Sequence, residues 1–374
     1  MATAAQPLVL PRVPRRRAAA VRHLGPNWYA SVMGTAIVAT AGAGLPGAAR
    51  VPGLRAACAA VWAFSLALLV VLLCARALHW IHHRDQARAD LLDPAVAPFQ
   101  GCFAMALLAV GGGALVVGRD WTGPGPALAL DAALFTAGSA AGLVVAVAVP
   151  YLMVARHRIE PDQAGPVWLL PLVAPMVSAA QGPLLVPHLP AGQERETLLL
   201  ACLAMAGMSL LATFVTLPLI LARLVIRGPL PLAWTPALFL VLGPLGQSVT
   251  AAGALGAVAP GAVPPPYARG LDVLALLYGV PVLGFAVLWL ALAAALVVRA
   301  LRRDMGFTMT WWAFTFPVGT CVTGAEALAR RTGLVVLDAL AIGLYVLLVA
   351  AWAVAACRTG RGVVSGELLA APRR

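Results

Sequence analysis

The chain has 374 residues, of which 61% are hydrophobic and 11% are charged, whereas about 25% of residues are charged in a soluble domain. A soluble protein of this size could not bury so much apolar surface, and the hydrophobicity also excludes disorder. The net charge is +12, but the arginines lie between apolar runs rather than in one soluble domain, which argues against nucleic-acid binding. The composition predicts an all-α polytopic membrane protein whose surroundings are the lipid bilayer.

A helix needs about 20 apolar residues to cross the hydrocarbon core of a bilayer. Runs of this kind predict ten spans, numbered in chain order: 27–46, 54–78, 97–117, 128–153, 166–187, 197–223, 232–258, 270–299, 309–330 and 332–356. The loops between them are short. A basic tail over 1–22 precedes a transmembrane domain over 23–357, and a second tail covers 358–374.

The distribution of arginine predicts the orientation, because cytoplasmic loops carry an excess of positive charge. With the N-terminus inside, 19 arginines lie on the cytoplasmic side of the ten spans and 7 lie on the other. We therefore expect both termini in the cytoplasm and the protein in an inner or plasma membrane.

Odd and even spans differ in composition. The odd spans hold 15 Ser, Thr, Asn and Gln residues and 14 glycines, whereas the even spans, which are longer in total, hold 8 of each group. Polar and small residues belong where helices meet or line a wet cavity. We infer an inner ring of odd spans inside an outer ring of even ones. Ordinary small-residue packing without a cavity is the alternative.

Prolines interrupt three of the odd spans: Pro175 in span 5, Pro244 in span 7 and Pro317 in span 9. Each removes a backbone donor and clashes with the carbonyl four residues earlier, which kinks the helix. For Pro317, the freed carbonyl would be that of Ala313. Irregular backbone at membrane depth is tolerated where protein or a water-filled cavity satisfies it.

No arginine falls in the middle of a span, and the carboxylates Asp131, Asp272, Glu326 and Asp338 lie towards the outer ends. A proton-driven pump usually keeps an ionisable residue at the bilayer centre, so this pattern favours passive movement along an uncharged path. Candidate pore-lining groups are the polar residues of the odd spans: Ser31, Thr35, Ser178, Gln247, Ser248, Thr320 and Thr323.

Two clusters outside the odd spans have alternative interpretations. His79, His82 and His83 could share a helix face as metal ligands, but beside Trp80 they favour an interfacial belt. Asp90 and Asp93 form a DxxD pair of the kind that holds magnesium diphosphate in membrane enzymes. The loop between spans 6 and 7 has no acidic partner for it. We therefore predict no metal, no cofactor and no enzymatic activity.

Four strings in the odd spans resemble one family. They are GPNWYASVMGTAI at 25–37, WLLPLVAPMVSAAQGPLLVPHLP at 168–190, LGPLGQSVTAAGAL at 242–255 and WWAFTFPVGTCVTGAEAL at 311–328. Together they resemble the tellurite-resistance/dicarboxylate transporter (TDT) family, which includes fungal malate and sulfite permeases and plant slow anion channels. The resemblance extends over about 22–357.

This resemblance implies five helical hairpins around a central pore, with odd helices inside, often in a homotrimer with one pore per subunit. Family members move small anions, and a phenylalanine of the ninth helix blocks the pore. The match places that residue at Phe316, with Phe314 as the fallback. On physical grounds alone, either ring could simply pack between helices.

The sequence therefore predicts an anion channel or channel-like transporter with Phe316 as its plug. A secondary carrier or exporter of C4-dicarboxylates, sulfite or tellurite on the same fold is the main alternative. A membrane-embedded enzyme is the third. The residues do not distinguish among the possible anions.

Overall fold

The computed structural model describes residues 21–370, and within these residues every regular element is a helix. The predicted tails fall partly on residues 1–20 and 371–374, which lie outside the described residues. The helices of 13 residues or more are numbered in chain order: α1 (Tyr29–Gly44), α2 (Leu54–His82), α3 (Gln100–Gly113), α4 (Pro124–Ala155), α5 (Leu169–Gln181), α6 (Gln193–Arg227), α7 (Leu242–Val258), α8 (Pro265–Leu301), α9 (Phe316–Thr332) and α10 (Val335–Val364).

Eight helical segments in the described part of the chain are long and apolar enough to cross a membrane. They comprise α2, α4, α6, α8 and α10, together with three segments that contain α3, α5 and α7. The all-helical, multi-pass prediction is therefore confirmed. The remaining two helices, α1 and α9, have 16 and 17 residues, so a count of ten spans stays a prediction.

Burial separates the helices into two groups. In the apolar parts of the segments that contain α3, α5 and α7, 78–89% of residues are buried, against 22–33% in α2, α4, α6, α8 and α10. In α1 and α9, 13 of 16 and 13 of 17 residues are buried as well. The helices with more glycine and hydroxyl groups are thus the ones inside the protein.

The five buried helices contact one another in a closed order. Helix α1 packs on α3, α3 on α5, α5 on α7, α7 on α9, and α9 again on α1. Each also packs against the exposed helix that follows it in the chain. The order of contacts therefore surrounds one central axis, and the exposed helices cover its outside.

A short 3₁₀ segment leads into every buried helix. These leading segments are Pro26–Trp28, Ala97–Phe99, Pro166–Trp168, Leu232–Val241 and Met309–Phe314. A proline near the start of a helix removes a donor that would lack an intrahelical partner anyway. The proline-rich sequences of the odd spans therefore mark helix starts.

The structure corrects one of the predicted kinks. Pro317 lies in the first turn of α9, after a break at Thr315, whose φ of −98° and ψ of −80° are not helical. Pro244 lies where the 3₁₀ leading segment gives way to α7, and Val241 before that helix has helical φ and ψ. Of the three prolines, Pro175 stands in a helix interior, that of α5. The sequence showed that span 9 is interrupted but not that a new helix begins there, and the kinks at Pro175 and Pro244 stay predictions.

Three consecutive glycines near the end of α3 allow three helices to approach it. A Cβ atom on Gly111, Gly112 or Gly113 would meet the side chain of Asp131, Gln181 or Trp62, respectively. These side chains come from α4, α5 and α2. Glycine is thus required by close approach at this point.

We expect Trp62→Ala to destabilise the protein strongly. The ring is 2% exposed, and its Nε1 donates to the carbonyl of Val110 at 2.9 Å. Truncating such a residue costs about 3–5 kcal/mol. Thermal unfolding in detergent measures the effect.

Phe64→Ala is the matched control, since Phe64 lies on the same helix with 56% of its surface exposed. We expect its melting temperature to stay near that of the wild type. Equal losses in the two variants would contradict the packing of α2 described above.

Candidate functional site

Side chains from all five buried helices or their leading segments surround a narrow space on the central axis. The space measures about 10 Å³, close to the minimum that holds one water molecule. It is lined by Met33, Met105, Leu169, Leu170, Val173, Leu240, Gly243, Phe316 and Pro317. We call these residues the constriction. Its lining is wholly apolar.

Helix α9 begins at the constriction, where Phe316 is its first residue and the backbone of Thr315 before it is not helical. Leu169 of α5 and Gly243 of α7 also line it, but both helices continue from their leading segments through residues with helical φ and ψ. The N-terminal end of a helix carries a partial positive charge from the aligned peptide dipoles. The constriction is therefore without charged side chains, but the start of α9 beside it favours negative charge.

Phe316 and Phe314 have different surroundings. Phe316 is buried and lines the constriction. Phe314 belongs to the leading segment of α9, and its ring packs edge-on against Phe239 and Trp311, with centroids 4.8 and 5.6 Å apart. Of the two candidate plug residues, Phe316 is thus the one on the central axis.

Two further cavities adjoin the constriction. The first, also about 10 Å³, shares Met33, Leu170 and Leu240 with it and extends towards the leading segment of α9. The second is larger, about 430 Å³, and shares Ala237 with the first. Its lining includes the segments that lead into α5 and α7 and the side chain of Arg223. A space large enough for a small anion therefore lies next to the narrow path.

Several predicted pore-lining hydroxyls join buried helices to exposed ones. Thr35 accepts a hydrogen bond from Trp352 Nε1 of α10 at 3.1 Å. Ser178 accepts one from Ser139 of α4 at 2.9 Å, and Ser248 accepts one from Tyr278 of α8 at 2.7 Å. The fourth, Ser31, donates within its own helix region, to the carbonyl of Trp28.

The threonines of α9 face α7. Thr320 Oγ1 lies 2.7 Å from the carbonyl of Pro317 and 3.3 Å from that of Leu242. Thr323 and Thr250 join the same two helices through their hydroxyls, 2.7 Å apart. These bonds satisfy polar groups between the helices, which is a common use of hydroxyls in membrane proteins.

Gln247 differs from the other predicted pore residues. It is buried, and its Oε1 has no hydrogen-bond partner among the described residues. It stands one helical turn after Gly243, so both lie on the same face of α7. An unpaired amide oxygen thus lies near the constriction.

Polar residues on the far side of the constriction are partly exposed although their helices are buried. These residues are Thr40, Gln181, Thr250 and Thr323. Each lies well beyond the N-terminal residues that form the constriction. The C-terminal halves of these helices are therefore less tightly packed than the constriction.

The histidine prediction was wrong for His79. It is fully buried, with Nδ1 2.8 Å from the carbonyl of Val21 and Nε2 3.8 Å from Asp90. Buried Arg76 bonds the carbonyl of Leu24 and lies 3.7 Å from the same carboxylate. The chain folds back over the end of α2, which local spacing could not reveal. The exposed side chain of His82 remains consistent with an interfacial position.

Two carboxylates near span ends are buried. Both carboxylate oxygens of Asp131 and Oε1 of Glu326 have no hydrogen-bond partner within the described residues. Asp131 faces α3 at Gly111, and Glu326 faces the end of α1 at Gly44. The sequence places both towards the outer ends of spans, and nothing in the local pattern indicates that they are buried.

Comparison with known proteins gives one consistent result. The family model described as SLAC1, voltage-dependent anion channel, matches residues 23–360. An uncharacterized transporter of Methanocaldococcus jannaschii is 26% identical over 350 residues, which cover 93% of this chain and 96% of that protein. The sulfite efflux pump SSU1 of Arthroderma otae is 26% identical over 348 residues, 89% of each chain. The pump of that name from Trichophyton rubrum is 27% identical over 327 residues, 83% of each.

Thiol labelling tests which polar positions water reaches. We expect Thr323→Cys to react with a membrane-impermeant thiol reagent, roughly tenfold or more faster than Ser178→Cys, because reactivity requires an accessible thiolate. Thr323 is partly exposed and Ser178 is fully buried. Both variants are made in a protein in which the exposed Cys74 and Cys357 are replaced by serine. Equal labelling of the two positions would contradict the described accessibility.

Proposed function

Because the chain belongs to the SLAC1 voltage-dependent anion channel family, we propose that it moves small anions across a membrane along the axis of its five buried helices. The start of α9 at an apolar constriction on this axis carries the proposal. Such a site attracts negative charge without binding it to a fixed cation. An anion can therefore enter and leave without being held tightly.

The proposed architecture has ten transmembrane helices, arranged as five hairpins around one pore. Helix α1 and its leading segment together measure about 30 Å, and α9 with its own measures about 37 Å, from the rises of the two helix types. The hydrocarbon core is about 30 Å thick. The burial of alternate helices and their closed order of contacts support this arrangement.

The proposed orientation places both termini in the cytoplasm of a cell whose inner or plasma membrane holds the protein. The distribution of arginine supports it, since the excess of positive charge then lies inside. In this orientation, the cavity beside Arg223 opens on the cytoplasmic side. The partly exposed threonines, including Thr323, line the outer half of the path.

Phe316 is the proposed plug. It lines the constriction together with Met33, Met105 and Val173 from three other helices. A constriction without polar lining excludes water, and dewetting by itself stops the passage of ions. Of the predicted polar residues, Gln247 and the partly exposed Thr323 remain the proposed pore-side groups. The others, which are Ser31, Thr35, Ser178, Ser248 and Thr320, either join helices or bond within their own.

A carrier is the second candidate function, favoured by the relatives named as sulfite efflux pumps. In that case, the same axis would bind sulfite, tellurite or a C4-dicarboxylate, and flux would saturate. We favour a channel-like pathway because the constriction offers no charged group that would hold a dianion. A homotrimer with one pore per subunit, as the family resemblance implies, completes the proposal. The family assignment and the relatives favour transport over an enzymatic role.

We expect Phe316→Ala to raise the flux of chloride and nitrate into proteoliposomes by about tenfold or more, because loss of the ring opens a dewetted constriction. The flux of malate and sulfite is measured in parallel. A flux that saturates as the anion concentration rises indicates a carrier rather than a channel.

Phe314→Ala removes the same ring two residues earlier, away from the axis, and we expect wild-type flux from it. If Phe316→Ala abolishes a saturable uptake instead of opening a leak, the residue belongs to a carrier's binding site. Wild-type flux from folded Phe316→Ala protein would refute the plug.

A further inference from the structure

Glu326 is a buried carboxylate with too few partners. Its side chain is 3% exposed, and Oε1 makes no hydrogen bond to any described residue. The closest cation is Arg330, whose Nη1 lies 3.7 Å from Oε2, but 62% of the arginine side chain is in solvent. An ion pair with one solvent-exposed partner contributes little. The pair therefore compensates poorly for burying a charge.

The carboxyl group lies against the C-terminal end of α1. A Cβ atom on Gly44 would overlap the carboxyl oxygens, so the two are in direct contact. The end of a helix carries unpaired carbonyls and a partial negative charge. Arg330 Nη1 reaches the carbonyl of Gly44 at 3.4 Å and is thus shared between this carbonyl and Glu326. This position favours a neutral carboxylic acid, which can also donate a hydrogen bond.

Other titratable groups around Glu326 do not supply a positive charge. Tyr345 faces it from α10 and donates to the carbonyl of Val38 at 3.3 Å. Cys58 of α2 lies beside Tyr345 at Gly42. On the neighbouring face of α9, Arg331 is engaged by Asp272 of α8 and the carbonyl of Gly253 of α7. Within α1 itself, the one titratable side chain is Tyr29 at the opposite end.

Glu326 and Phe316 belong to one continuous helix. Ten residues separate them, or about 15 Å along the axis of α9. Glycines at two heights allow α9 to lie directly on α1: Gly319, which meets Ile37, and Gly44, which meets Glu326. The non-helical backbone at Thr315 separates α9 from its leading segment. A shift of α9 away from α1 therefore moves the ring of Phe316 with it.

From this geometry we propose that Glu326 is a proton-binding site that controls the plug. The protonated, neutral form lets α9 stay seated on α1 with Phe316 in the constriction. Loss of the proton leaves a charge that needs water, and water enters only if this end of α9 separates from α1. The anion path then opens. This inference rests on the proposed function of Phe316.

The test measures chloride flux into proteoliposomes from about pH 5 to about pH 9, a range that brackets the charge change of a buried carboxyl group, with equal pH on both faces. We expect wild-type flux to rise with pH, by up to about tenfold per pH unit if opening follows the loss of one proton. Glu326→Gln keeps the shape of the neutral acid and should stay at the low-pH flux throughout. A wild-type flux independent of pH would overturn the proposal.

Asp131→Asn is the matched control, because it neutralises another buried carboxylate with unpaired oxygens that does not touch α9. We expect it to retain the pH dependence of the wild type. If Asp131→Asn abolishes that dependence and Glu326→Gln does not, the proton site is elsewhere and the proposal is wrong.

The double variant Phe316→Ala/Glu326→Gln separates this inference from the plug itself. It should conduct at every pH like Phe316→Ala, which shows that the Glu326 variant is folded and acts through the ring. If Phe316→Ala conducts no better than wild type, the plug fails and this inference fails with it. If Phe316→Ala conducts but Glu326→Gln retains pH-dependent flux, the plug stands and the proton site is refuted.

Discussion

Direct contact between buried helices is the constraint on which the rest of the structure depends. At Gly246 a Cβ atom would strike the backbone of α9 at Thr320 and Cys321, and at Gly319 it would strike Ile37 of α1. Such contacts close the order of helices around the axis and leave little space inside it. Because apolar lipid gives helices no hydrophobic reason to associate, close packing and interhelical hydrogen bonds must hold them together.

The positions of the serine and threonine hydroxyl groups follow from the same need for contact between helices. A serine or threonine that ties two helices, as Ser248 and Thr323 do, satisfies a polar group that would otherwise be unpaired in a dry environment. The axis itself is then left mainly to methionine, leucine and phenylalanine, and the start of α9 beside it favours negative charge. In the proposed function, preference for anions and closure of the path thus have different physical sources, the first in the backbone and the second in the side chains.

Prediction from sequence succeeded where the signal is local or compositional. Apolar runs located the long helices, and the uneven distribution of glycine and hydroxyl residues indicated which helices are buried. Prediction from sequence failed where segments that are distant along the chain meet in the structure. The sequence favoured an interfacial belt for His79, but Asp90 and Val21 cover it. It placed Glu326 towards the outer end of a span, but not against the end of α1. Pro317 marked an interruption of span 9, but it begins a helix instead of bending one.

The sequence by itself determined the class of the protein, its helices and the family motifs. The reason is that the length of an apolar run and the spacing of its residues can be interpreted for each segment separately. Only the tertiary structure decided that Phe316 and not Phe314 lies on the axis, that most of the predicted polar residues join helices, and that Glu326 and Asp131 are buried without partners. These features depend on which helices touch and at what height, and no single helix contains that information.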